Sequence, residues 1–299
     1  MSRPRAVLAG RTYLITRRCS ERRFFLRASR KVNKAFLYCL AEASQRHGMV
    51  VHVVLSMSNH YHAVVHDPHG NYPRFIEHFH KMLAKVLNAH LGRWEALWAS
   101  EQTSVVELVD PADVWRIMLY VLCNPVEAGL VARAADWPGV TSLHAMLSGT
   151  TMKAERPQWF FDKKGKMPAR VELVLERPAG FEALSQDEWV TKLRAAIAAR
   201  EAHFSAERGD RPVLGRKAVL AQSAFDSPDT HEPRRGMSPR VAARNKWRRI
   251  EALRRNREFL RAYREAFEQL VAGVAEVIFP AGTYKLAQLG LVRCAAPPT

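Results

Sequence analysis

The chain has 299 residues, 47% of them hydrophobic, and carries 46 Lys and Arg against 29 Asp and Glu, a formal net charge of +17. That length gives room for one large domain or two small ones. A basic surplus of this size implies a polyanionic partner, because clustered Lys and Arg release counterions from nucleic acid.

The excess is uneven. Residues 1–34 hold eleven Lys and Arg against Glu21, and residues 234–264 hold twelve against Glu251 and Glu258. Two separate basic blocks suit a tracked strand better than a general solubility charge; the plain alternative is a solvated face or tail. Cys19, Cys39, Cys123 and Cys294 lie far apart without a CxxC pair, which argues against a zinc ribbon. The N-terminal stretch MSRPRAVLAG lacks a long apolar segment and no run of eighteen apolar residues occurs. The expectation is a reduced, cytoplasmic, nucleoid-associated protein of bacterial type with no membrane partner.

In chain order, β-branched and aromatic residues predict a strand over Arg11–Thr16. Residues 31–47 place Phe36, Leu37, Leu40 and Ala43 at helical spacing before Gly48. Val50–Met57 reads as a second strand, turned back by Ser58-Asn59 into a third over His60–His66. Pro73 opens a helix over residues 73–91 with an apolar stripe from Phe75 to Leu91. Ser104–Val109 reads as a fourth strand. Asp110-Pro111 starts a helix expected to end near Asn124-Pro125. The order β-α-β-β-α-β predicts an α+β fold with a ferredoxin-like βαββαβ antiparallel sheet, helices on one or both faces, and a mostly helical C-terminal extension.

Beyond residue 150 the texture is polar and broken, and residues 151–180 read as a linker between a unit at 1–150 and a basic helical unit at 181–299. Ser185-Gln186-Asp187-Glu188 is a capping box for a helix to about Arg208. Gly215–Gln222 is a candidate short helix and Phe225–Gly236 a loop. Ser238-Pro239 is expected to open a long basic helix to about Ala272. Trp247, Ile250, Leu253, Leu260, Tyr263, Phe267 and Leu270 would line one of its faces.

The chemistry concentrates in His60-Tyr61-His62. On a strand, residues two apart point to the same side, so both imidazoles can reach one ion. His78-Phe79-His80 repeats the spacing on a helix, where the two side chains point roughly 200° apart. A second pair, Tyr120 and Asn124, sits at i and i+4, one helix face. Two solvent-facing strand histidines, a core Tyr120 and an Asn124 that caps a following helix are the alternatives from residues alone.

Taken in order, "MSNHYHAVV", "LGRWEALW", "YVLCNPVEAGLV" and "WPGVTSL" resemble REP-associated tyrosine transposases and insertion-sequence transposases of the single-tyrosine HUH class, over roughly residues 11–147. The resemblance implies that His60, His62 and Asn124 bind Mg²⁺ or Mn²⁺ and that Tyr120 is the nucleophile. Tyr61 departs from the commonly aliphatic middle residue, and Asn124 stands where some relatives have Gln. It further implies a metal-dependent transposase and endonuclease, monomeric or homodimeric. Such an enzyme cleaves and rejoins single-stranded DNA with hairpin ends through a 5′-phosphotyrosine. The alternative is a non-catalytic or domesticated nucleic-acid-binding regulator on the same fold. Arg17, Arg18, Arg22, Arg23 and Arg27, interleaved with Phe24 and Phe25, are candidate contacts to a single strand. Arg244, Arg248, Arg249, Arg254 and Arg255 are candidate contacts to a stem or flanking DNA; no helix-turn-helix pattern accompanies them.

Overall fold

In the computed structural model, residues 4–230 and 239–297 are described. Four antiparallel strands form the centre: β1 (Arg11–Arg18), β2 (Val50–Ser56), β3 (His60–Asp67) and β4 (Ser104–Leu108). A short strand β7 (Val241–Ala242) adds parallel to β4, so the order is β2-β3-β1-β4-β7 and the sheet is mixed rather than purely antiparallel. Val241 is too far along the chain, and its strand too short, for alternation to reveal it.

Helix α1 (Arg30–His47) starts where the Ser29 hydroxyl accepts from the Val32 amide and stops at Gly48, which takes φ +62°. The left-handed backbone there selects glycine. Helix α2 (Tyr72–Leu91) carries Pro73 in its first turn, and α3 is Pro111–Glu127.

The sheet separates two cores. On β3, Tyr61, Ala63 and Val65 enter the core with α1 and α2, and Val64 enters the one with α3. On β2 a register shift between Val51 and Val53 inverts the parity: Val51 and Val54 take the α1–α2 side, Val53 and Leu55 the α3 side. Phe36, Tyr61, Phe79 and Leu83 are fully buried in the first core. Burial of each such side chain contributes about 1.5–3 kcal/mol.

Helix α3 runs through Pro125 to Glu127, two residues beyond the sequence expectation. Proline removes one N–H donor, but the turn is closed by other bonds, Ala128 N–H to Asn124 O and Leu130 N–H to Pro125 O. Helix α4 (Leu143–Ser148) follows.

Residues 151–180, expected as a linker, hold a hairpin of β5 (Met152–Glu155) and β6 (Arg170–Leu173). Its alternate residues Ala154, Val171 and Leu173 join the α1–α2 core. Helix α5 (Gln186–Arg208) opens with the expected capping box and lays Trp189, Leu193 and Ile197 into the α3 core. Helix α6 is Arg216–Ala221.

The expected loop Phe225–Gly236 lies partly outside the described residues, as does Ser238. The long basic helix, α7 (Lys246–Val271), starts later than Ser238-Pro239 suggested. The Asn245 carboxamide caps it by accepting from the Trp247 and Arg248 amides, and the preceding residues are extended to pair with β4. Its buried line is Ala252, Phe259 and Ala266, each seven residues apart. The expected face of Trp247, Ile250 and Leu253 lies largely in solvent, with Trp247 75% exposed. The Ala252 end of this line packs with Val241, Ala243 and Val109 at the sheet edge, and Phe259 faces a groove beside it. Strands β8 (Ile278–Phe279) and β9 (Arg293–Cys294) and helix α8 (Lys285–Gln288) complete the chain.

Both long edges of the sheet are attended. Beside β2, Val140–Ser142 exchange backbone bonds with Val54 and Ser56, and the Glu176 amide donates to the Val51 carbonyl. The Trp137 indole N–H donates to the Ser56 carbonyl at 2.9 Å. Gly139 is required there: an added Cβ would lie 2.5 Å from the indole nitrogen and 2.7 Å from Ser56 O. The WPGVTSL stretch is thus a clasp on β2. No helix among the described residues is long and apolar enough to cross a membrane.

Candidate active site

His60 and His62 start β3 and face α3. The rings lie edge to face with centroids 4.8 Å apart, and their Nε2 atoms are 3.1 Å apart. His60 Nδ1 donates to Asn59 Oδ1 at 2.6 Å, a tautomer assigned from that partner, which leaves Nε2 as a lone pair aimed at His62. His62 Nδ1 meets Thr16 Oγ1 at 2.8 Å. Thr16 lies directly opposite His62 in the β1–β3 register. A hydroxyl both donates and accepts, so Thr16 satisfies either tautomer of His62.

Burial is the main cause that keeps both imidazoles neutral. It takes the His60 value down to about 4, with Arg18 adding to the effect. The His62 value falls well below the ordinary range through burial, then His60, then Arg18. Neutral imidazole is the ligating form. Two nitrogens bound to one ion at about 2.1 Å and near a right angle are about 3.0 Å apart, so the 3.1 Å separation fits a shared divalent cation.

Helix α3 brings the phenol. The Tyr120 ring sits edge-on to His62, with centroids 5.5 Å apart and planes at 70°. Asn124, one turn on along the same face, is 9% exposed and near enough to act on the phenol. Burial raises the Tyr120 pKa above its ordinary 10, Glu127 adds to that, and Asn124 pulls it back. The phenol is therefore protonated at neutral pH. Among the described residues no group of three His, Cys, Asp or Glu could hold a metal. A third protein ligand beside the two imidazoles would be a neutral group, which is what the Asn124 carboxamide offers.

His60, His62 and Tyr120 are thus together, with Asn124 beside the phenol. Tyr61 points to the opposite face, where its hydroxyl and His80 Nε2 share a hydrogen bond at 2.7 Å. Thr16 and Asn59 were not singled out in the sequence. Asn59 adjoins the motif, whereas Thr16 is visible only through strand register.

The candidate arginines divide. Arg18 is exposed and near enough to act on both imidazoles. Arg17 donates to the carbonyls of Glu101 and, at 2.8 Å, Ala99. Arg22 binds Thr230, Arg23 binds Glu21 and the Phe225 carbonyl, and Arg27 donates to Gln222 O at 2.8 Å. Arg22, Arg23 and Arg27 fasten the 220–230 segment onto the loop after β1. Phe25 is core at 1% exposure with Arg93 over its ring, and Phe24 is half-buried. In the C-terminal block, Arg255 pairs with Glu107 at 2.6 Å, Arg248 lies 3.7 Å from Asp110, and Arg254 lies 3.6 Å from Glu258. Arg244 and Arg249 are exposed. Trp94 of the LGRWEALW stretch is 97% exposed, whereas the Trp98 indole donates to the His80 carbonyl at 3.1 Å.

Two solved structures are similar to this chain. A REP-associated tyrosine transposase, solved bound to a REP hairpin, is 14% identical; the match covers 59% of this chain and 99% of that one, with a TM-score of 0.43. A protein of Deinococcus radiodurans R1 described as a transposase is 18% identical, covering 40% of this chain and 95% of its own, with a TM-score of 0.30. No family model and no curated protein matches the sequence.

Proposed function

We propose that this chain is a transposase that cuts and rejoins single-stranded DNA, with Tyr120 as nucleophile and His60, His62 and Asn124 as ligands of Mg²⁺ or Mn²⁺. In this reading the first four strands and their helices are the split βαβ arrangement. The observation that carries it is the convergence of two neutral imidazole Nε2 atoms, 3.1 Å apart, with the Tyr120 ring against one of them.

The chain's own groups account for the chemistry as follows. Asn59 and Thr16 hold the imidazole Nδ1 atoms, so both Nε2 atoms face one point. Tyr120 Oη attacks phosphorus, the Tyr–O–P bond forms and the P–O3′ bond breaks. The phenol proton leaves and the departing oxygen takes one up as a 3′-hydroxyl. A second 3′-hydroxyl reverses the step, which conserves bond energy and needs no nucleotide cofactor. A phenol of raised pKa is a weak nucleophile, and a divalent cation held here would lower it and neutralise charge on the phosphate. Arg18 adds a fixed positive charge beside the imidazoles. Hairpin-ended DNA is the substrate this reading expects, bound as monomer or homodimer.

The test is incubation with single-stranded hairpin oligonucleotides and Mn²⁺, followed by denaturing electrophoresis. A covalent protein–DNA band is expected from the wild type and none from Tyr120→Phe. Metal-independent binding without any adduct would instead make the chain a non-catalytic nucleic-acid-binding regulator.

A further inference from the structure

Helix α7 does not lie flat on the sheet edge. Between it, the start of α2 and residues 283–285 is a groove of about 930 Å³. Its walls combine two chemistries. Tyr263 and Phe267, one helical turn apart, expose parallel rings at 8° with centroids 6.3 Å apart. Arg5, Arg264 and Lys285 bring positive charge to the same lining. Glu77, the one acidic residue on the lining among the described residues, is paired with Lys81. Arg5 donates to the Val105 carbonyl at 3.2 Å and its guanidinium also acts on the Tyr72 phenol, which fixes its charge at the rim.

The groove also leads somewhere. Thr103 lines it, and the next residue, Ser104, pairs with Thr16 across β1 and β4. Thr16 is the residue that holds His62. Among the described residues β7 pairs with Glu107 and Leu108, and towards Ser104 the Val105 carbonyl accepts from Arg5 at the groove rim. The groove opens on the α1–α2 side of the sheet, so a chain leaving it must cross the β4 edge to reach the α3 face, where Thr16, His62 and Tyr120 meet.

We propose that this groove binds the single-stranded DNA that flanks the cleavage point, stacking bases on Tyr263 and Phe267 and holding phosphates with Arg5, Arg264 and Lys285. Aromatic faces with interleaved cations suit single-stranded nucleic acid, whose bases are unpaired and whose charge is one phosphate per residue. The inference rests on the reading of Tyr120 as a DNA-cutting group for its choice of DNA, and on the groove alone for its location.

The test uses the full-length chain without divalent cation and a fluorescein-labelled twenty-nucleotide oligothymidylate, read by fluorescence anisotropy over a range of salt. Phe267→Ala and Arg264→Glu alter exposed side chains, and unchanged thermal melting checks that the fold is kept. Each is expected to weaken binding roughly 5- to 30-fold. Arg264→Glu should also reduce the slope of log affinity against log salt by about one. Wild-type affinity and slope in both variants would overturn the groove. Self-association of the wild type that Arg264→Glu abolishes, with oligothymidylate affinity unchanged, would put a second copy there and overturn it equally. The Tyr120 reading fails separately: groove-dependent binding with no covalent adduct sinks the nuclease and leaves the groove standing.

Discussion

His60-Tyr61-His62 and His78-Phe79-His80 have the same spacing and opposite outcomes. On β3 the outer pair shares a face, and the two Nε2 atoms meet at 3.1 Å. On α2 the outer pair is split. His78 turns to the surface, 3.0 Å from the Glu42 carboxylate and 3.3 Å from His47, and His80 turns inward to 8% exposure. The two stretches even touch through the sheet's other face. Tyr61 packs on Phe79, with centroids 5.3 Å apart, and its hydroxyl is hydrogen-bonded to His80. Two residues of separation say nothing about convergence until the backbone period is known: 2 on a strand, 3.6 on a helix. The strand pair converges on one point, and of the helix pair only His80 anchors the strand that presents it.

That contrast can be broken in graded ways. The largest effect belongs to His62→Ala, expected to reduce Mn²⁺-dependent adduct at least 100-fold, whereas His78→Ala leaves it at the wild-type level. Equal losses in the two variants, measured on the same hairpin oligonucleotide, would erase the distinction between strand and helix pairs. Thr16→Val comes next. It removes the hydroxyl that holds His62 Nδ1 and should weaken Mn²⁺ affinity about 10- to 100-fold, read by titrating Mn²⁺ against adduct yield. Recovery of the yield at high Mn²⁺ is expected; an unchanged titration curve would show that Thr16 does not position the ring.

The smallest effect sharpens the helix side. Burial, with Arg17 adding, takes His80 down to about 3. Between that value and the ordinary 6.5, the unfolded chain binds a proton that the folded chain does not, so stability is lost as pH falls through this window. His80→Gln keeps an acceptor for the Tyr61 hydroxyl and removes the titration. The slope of stability against pH between pH 6.5 and 4 should drop by up to about 1.4 kcal/mol per pH unit. Denaturant unfolding across that range checks it, and an identical slope would mean that His80 is charged in the fold.

Much of the site was legible because local periodicity sets it. Strand alternation puts His60 and His62 on one face, and helical spacing puts Tyr120 and Asn124 on one face. What remained hidden depends on distant pairing. Thr16 acts through the register of β1 against β3, which no spacing in either strand encodes. Val241–Ala242 is too short to alternate. The arginines after β1 looked like a nucleic-acid surface, yet Arg17, Arg23 and Arg27 donate to carbonyls, Arg23 and Arg27 reaching roughly two hundred residues away. On α7 the buried line is Ala252, Phe259 and Ala266 rather than the expected stripe, because its contact with Val241 and Ala243 depends on a distant strand pairing that helical spacing does not encode.

The clasp that Trp137–Ser142 forms on β2 has a consequence for how copies of this chain behave at high concentration. An outer strand with bare amides and carbonyls is a template on which another chain can extend the sheet, and proteins commonly blunt such strands. Here a loop occupies the outer side of β2 and a two-residue strand occupies part of β4. Loss of the Gly139 contact would uncover β2 rather than merely weaken the core, so damage there should show first as insoluble assemblies and only later as a lower melting point.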